Sequence, residues 1–84
     1  MYIVYAIFNK KHNKIYIGQT ENMDERLLAH NEGRFTGSYT AKFDGCWGLL
    51  YAEKCLTRKD VLKREKQLKS YRGREFIRSL IKDI

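Results

Sequence analysis

The sequence predicts a small α+β domain in which helices flank a three-stranded antiparallel sheet, in the order β-β-α-β-α-α. Three observations predict it. Two short apolar runs, Ile3-Val4-Tyr5 and Tyr16-Ile17-Gly18, are joined by a polar turn and followed by a capped amphipathic segment. A third β-rich run, Trp47 to Glu53, lies between a loop-like stretch and a helix start. Two more helical patterns complete the chain. With 84 residues and no internal repeat, the chain is expected to form one domain, residues 1–84, around one modest core.

Tyr, Ile and Val favour a pleated, half-buried backbone, and Asn9-Lys10-Lys11-His12-Asn13 is turn material, so the first two runs form a hairpin. If paired residue numbers sum to an odd value, as with Phe8 opposite Ile15, Tyr5 lies opposite Gly18. Tyr16 then shares their face. An even sum would separate the two tyrosines. Gly18 opposite Tyr5 would leave open backbone where a ligand can approach. Taken singly, however, each strand tyrosine reads as a packing residue.

Asn22 is a good N-cap, with Glu25 three residues on, and Gly33 suits the end of the helix that starts near Met23. Met23, Leu27 and Leu28 form its apolar stripe, with His30 at the edge of the stripe and Arg26 one step further round. Being four apart, Arg26 and His30 are neighbours on one flank. Residues 33–45 read as a loop in which Arg34 and Lys42 alternate with Phe35, Tyr39 and Phe43. Cations interleaved with flat side chains suit nucleic-acid backbone contact plus base stacking, making Arg34, Tyr39 and Lys42 the candidate contacts. A surface loop pinned by its aromatics is an equal alternative. Leu49, Leu50 and Tyr51 centre the third strand. Thr57 and Asp60 start the next helix, and Gly73 is expected to stop it. A last helix follows, with Ile77, Leu80, Ile81 and Ile84 on one face.

Seventeen Lys and Arg stand against ten Asp and Glu, a formal net charge of +7. Such an excess attracts polyanions, and nucleic acid is the partner class that counterion release rewards most. The N-terminus begins as a strand without a basic leader, and no run approaches membrane-spanning length, so a cytoplasmic protein without a membrane partner is expected. Cys46 and Cys55 lack metal-ligand spacing and read as free thiols.

Glu65 falls among apolar neighbours. With Val61 at zero, Leu68 lies at about −20°, Glu65 at about +40° and Leu62 at about +100°, so the carboxylate projects from the middle of an apolar stripe. A buried carboxylate has to be paired, protonated or metal-bound. Geometry alone favours an ion pair over a divalent metal.

Tyr5, Tyr16-Ile17-Gly18, Arg26 and His30 in Arg-Leu-Leu-Ala-His-Asn, and Glu65 in Lys-Arg-Glu-Lys-Gln-Leu-Lys make an ordered set. The set resembles the GIY-YIG nuclease superfamily, also called the URI domain. It is most similar to small stand-alone bacterial members related to the N-terminal nuclease domain of UvrC. The resemblance spans nearly the whole chain, with one departure: Ile3 stands where the first motif usually has glycine. It implies an endonuclease that hydrolyses DNA phosphodiester bonds with one divalent ion, Mg²⁺ or Mn²⁺. By the same resemblance Tyr5, Tyr16, Arg26, His30 and Glu65 are catalytic, with Glu65 as metal ligand. Arg26 would hold phosphate, Tyr16 would orient phosphate or water, and Tyr5 would activate the water, helped by His30 and made acidic by cationic neighbours. All five are expected on one concave, partly solvated surface of the sheet. The alternative is a non-catalytic nucleic-acid-binding module on the same fold; no protein partner is implied.

Overall fold

The structure, a computed structural model, describes residues 1–34 and 39–83, with the backbone alone at 82 and 83. Phe35 of the predicted loop and Ile84 of the predicted last stripe lie outside the described residues. The predicted hairpin forms from β1 (Tyr2–Asn9) and β2 (Lys14–Thr20), and β3 (Trp47–Cys55) adds to the other side of β1. All pairings are antiparallel, and the sheet order is β2-β1-β3. Both hairpin strands run longer than the apolar runs suggested. Asn9 belongs to β1 rather than to the turn, because its side chain accepts from the His12 amide and donates to the Asp44 carbonyl.

The register has the odd sum: Phe8 pairs with Ile15 and Tyr5 with Gly18. Alternation then sorts the side chains into two cores. Val4, Ala6, Phe8, Ile15 and Ile17 pack on one face beneath Val61, Leu68 and Ile77. Ile3, Tyr5, Ile7 and Tyr16 line the other face, with Met23, Leu27, Phe43 and Trp47. A bulge between β1 and β3 sets Ala6 opposite Tyr51 but Ile7 opposite Leu49. The extra residue lets consecutive Leu50 and Tyr51 both pack against the first core.

Helix α1 (Met23–Asn31) is capped by the Asn22 side chain, which accepts from the Glu25 amide at 3.1 Å. Its buried face is set by Met23, Leu27 and His30; Leu28 is 51 % exposed, so the apolar stripe is turned toward the histidine. Asn31 fixes the end of the helix to β3 by receiving the Trp47 amide at 2.7 Å and donating to the Trp47 carbonyl at 2.9 Å. A 3₁₀ turn at Thr40–Lys42 lies against the same face, where the Thr40 hydroxyl meets His30 and Phe43 packs with the second core. It is tied down where Asp44 meets Lys11 and His12 of the hairpin turn, and these partners lower the Asp44 carboxyl to about 2.

Thr57 caps α2 (Arg58–Lys69) as predicted, but Gly73 does not end it. Ser70 does, and also caps α3 (Tyr71–Ser79), placing Gly73 inside the first turn of α3. A Cβ at Gly73 would lie 2.3 Å from the Gln67 carbonyl oxygen, so the residue is glycine because two helices meet there. A 3₁₀ tail, Leu80–Asp83, continues the predicted last helix.

Candidate active site

Tyr5 is 1 % exposed at the centre of the α1-facing core, and its hydroxyl lies 2.8 Å from His30 Nε2. His30, 6 % exposed, meets the Thr40 hydroxyl through Nδ1 at 2.9 Å. β1 thus supplies the phenol, α1 the imidazole and the loop after it a hydroxyl, all in one buried chain. Burial, then the Arg26 charge, pushes the His30 pKa below its ordinary value. The ring is therefore neutral near pH 7 and has one donor and one acceptor nitrogen.

Tyr16 stands beside this pair, its ring centre 6.3 Å from Tyr5 and 5.2 Å from His30. Gly18 completes the arrangement by having no side chain. A Cβ there would lie 2.8 Å from the Tyr5 hydroxyl and 3.0 Å from the Tyr16 ring. The backbone opposite Tyr5, expected to be open to a ligand, is instead covered by the Tyr5 and Tyr16 side chains.

Arg26 is half-buried on α1, and its charge acts on both Tyr5 and His30. Glu65 comes from the far side. Helix α2 packs on the opposite face of the sheet, yet the Glu65 charge is felt at Tyr5. The two faces meet around the free edge of β2, where a cleft is lined by Ile15, Tyr16 and Ile17 together with Tyr39, Lys69 and Arg74. The structure thus brings Tyr5, Tyr16 and His30 together on one face, with Tyr5 and His30 buried, while Glu65 belongs to the helix that covers the other face. Glu65 also sits at the border of the α2 stripe, because Leu62 is 44 % exposed and the buried residues are Val61 and Leu68. Its side chain is 18 % exposed and pairs with Lys69 at 2.7 Å. The ion pair anticipated from the helix geometry is therefore present, with a partner one turn on.

The expected acidic phenol is not what the surroundings produce. Burial first, then Tyr16 and Glu65, raise the Tyr5 pKa, and Arg26 opposes them only in part. Tyr5 is a neutral phenol in the ligand-free protein, because a desolvated hydroxyl oxygen beside a second tyrosine disfavours negative charge.

Of the three candidate nucleic-acid contacts, Tyr39 is 42 % exposed and stacks on Tyr16, with ring centres 6.2 Å apart and an interplanar angle of 22°. Lys42 is exposed at the end of the 3₁₀ turn. Arg34 is held by Glu32, Nε to Oε1 at 2.7 Å, which offsets its charge. Thr40, Lys69 and Arg74 were not singled out from the sequence. Lys69 follows Glu65 by four residues on a helix, a spacing that marks it as a partner. Nothing local marks Thr40, whose role depends on where the loop crosses α1.

Among the described residues no group of three His, Cys, Asp or Glu could hold a metal ion, and no helix is long and apolar enough to cross a membrane. The sequence model of one family, the GIY-YIG catalytic domain, matches residues 1–76. No curated protein and no solved structure matches the chain.

Proposed function

The chain belongs to the GIY-YIG catalytic-domain family, and from that premise we propose that it is a divalent-metal-dependent endonuclease, residues 1–84 acting as one domain on DNA phosphodiester bonds. The observation that carries the reading is the buried Tyr5–His30 hydrogen bond, with the Tyr16 ring beside it.

Neutral His30, its pKa lowered by burial, is able to take the Tyr5 proton at Nε2. As His30 takes that proton, the Tyr5 oxygen takes one from the attacking water in the same event, so the free phenolate that its raised pKa disfavours does not accumulate. Thr40 holds the imidazole in place from Nδ1. Arg26 presents a permanent positive charge to the phosphate and stabilises the phenolate as it forms. Tyr16 orients the phosphate at the mouth of the centre. Glu65 fits a divalent ion: it is a hard oxygen donor already matched to one cation, and Mg²⁺ takes one carboxylate and fills its other positions with water and phosphate oxygens. When bound, that ion would neutralise charge on the phosphoryl group.

A plasmid-nicking assay tests this. Wild-type protein should nick DNA with Mg²⁺ or Mn²⁺ and stop when EDTA is added. Glu65→Gln should abolish nicking yet melt within a few degrees of wild type. Lys69 is 45 % exposed and an i,i+4 pair contributes only about 0.3–0.5 kcal/mol, so no buried cation is stranded. Full nicking by folded Glu65→Gln would remove the metal role. The second reading is a nucleic-acid-binding module on the same fold, without turnover. That reading predicts DNA binding with no metal-dependent cleavage by the wild-type protein.

A further inference from the structure

We propose that the cleft at the β2 edge is a nucleic-acid subsite that seats one nucleotide flanking the scissile bond, with its base on Tyr39 and its phosphate between Lys69 and Arg74. This rests on the nuclease reading and extends it to the path of the strand. The cleft measures about 250 Å³ and is walled by Ile15, Tyr16 and Ile17 on the sheet side. Tyr39 is already stacked on Tyr16 and remains 42 % exposed, which leaves it surface for a base.

Arg74 is fixed by its own Nε, which donates to the Lys69 carbonyl at 3.0 Å, and the close α2–α3 approach at Gly73 holds that corner in place. A guanidinium anchored through Nε still presents its terminal nitrogens, a geometry suited to a phosphate. Lys69 is the mobile member. Its ammonium rests on Glu65, and its long stem can carry it to a phosphate seated in the cleft. Charge points the same way. From Arg58 to Ser79 there are nine Lys or Arg and three Asp or Glu, so most of the net +7 lies on α2 and α3. The loop before β3 contributes less, since Glu32 offsets Arg34.

The test measures binding of a fluorescein-labelled DNA 12-mer to the full chain in EDTA, by anisotropy, so that cleavage plays no part. The double variant Lys69→Gln/Arg74→Gln is compared with Lys59→Gln/Arg78→Gln, which removes equal charge from residues that do not line the cleft. The cleft pair should weaken binding by about tenfold or more, and the control pair by about threefold or less. Equal losses would overturn the subsite. Should the cleft pair melt early, Tyr39→Leu decides instead, using a 12-mer carrying 2-aminopurine. Quenching of that base by the wild-type protein should disappear in the variant, and quenching that persists unchanged overturns the proposal. Failure of the nuclease reading shows separately, as wild-type protein that binds the 12-mer through the cleft but does not nick plasmid.

Discussion

A single missing side chain, that of Gly18, sets how the centre works. The Tyr5 hydroxyl has little spare room, being bonded to His30 at 2.8 Å on one side and facing bare backbone on the other. Gly18→Ala would put a methyl 2.8 Å from that oxygen, closer than van der Waals contact allows. The phenol has to swing off the imidazole to accommodate it. Nicking should fall by about a hundredfold or more, the usual scale for losing positioned acid–base catalysis, and the melting temperature should fall with it, since overpacking a core costs about 1–3 kcal/mol. Activity retained near wild type, measured beside a melt of the same sample, would show that the Tyr5–His30 contact is not needed. At this scale the sequence was informative wherever a strict period applied. Period two tied Tyr5, Tyr16 and Gly18 to one face on the condition of an odd register, which the hairpin has, and a spacing of four tied Arg26 to His30. Thr40 was invisible because no period links a loop hydroxyl to a helix imidazole. The ionisation of Tyr5 was misjudged because burial, which outweighs Arg26 there, is a property of the assembled core.

Among the elements, the helix starts were legible and one helix end was not. Asn22 and Thr57 announced their helices because the cap bond is local, running from each side chain to an amide three residues on. Gly73 was read as a stop because glycine serves two purposes in helical proteins, ending a helix and letting two backbones approach. Only the tertiary structure separates them. In an exposed helix interior Gly→Ala stabilises by about 1 kcal/mol. Here the added methyl would lie 2.3 Å from the Gln67 carbonyl and 2.4 Å from the Leu68 Cα, so α2 and α3 have to part. Gly73→Ala should destabilise by about 1–3 kcal/mol, measured as a lower urea midpoint with an unchanged slope. A higher midpoint would show instead that α2 and α3 do not crowd Gly73, which would then behave as an ordinary exposed helix position. The bulge in β3 was likewise beyond sequence pattern, since Leu50 and Tyr51 look like any two consecutive strand residues.

For the molecule as a whole, the buried imidazole links stability to pH. Burial and Arg26 lower the His30 pKa in the folded state, while the unfolded chain titrates near its ordinary value of about 6.5. Between those two values the unfolded state binds more protons, so stability rises with pH. The His30 contribution is complete above about pH 6.5 and is lost as pH falls toward the folded-state value. Urea midpoints should therefore drop between pH 7.5 and pH 5.5, and His30→Gln should flatten that dependence. An equally steep dependence in the variant would assign the titration to another group. The Lys11–Asp44 pair lies outside this window, because its carboxyl titrates at about 2.

The strand order carries a consequence for durability. β1, which bears Tyr5, is the middle strand and is hydrogen-bonded along both edges, to β2 and to β3. The amides of Val4 to Ile7 open to solvent only when the sheet itself comes apart. They should be among the slowest in the protein to exchange with deuterium, at a rate that tracks global unfolding. The strand that carries Tyr5 then has no loosened state short of denaturation, and on warming its amides should lose protection only where tertiary structure does. Fast exchange at Tyr5 in an otherwise protected sheet would show instead that the site opens locally.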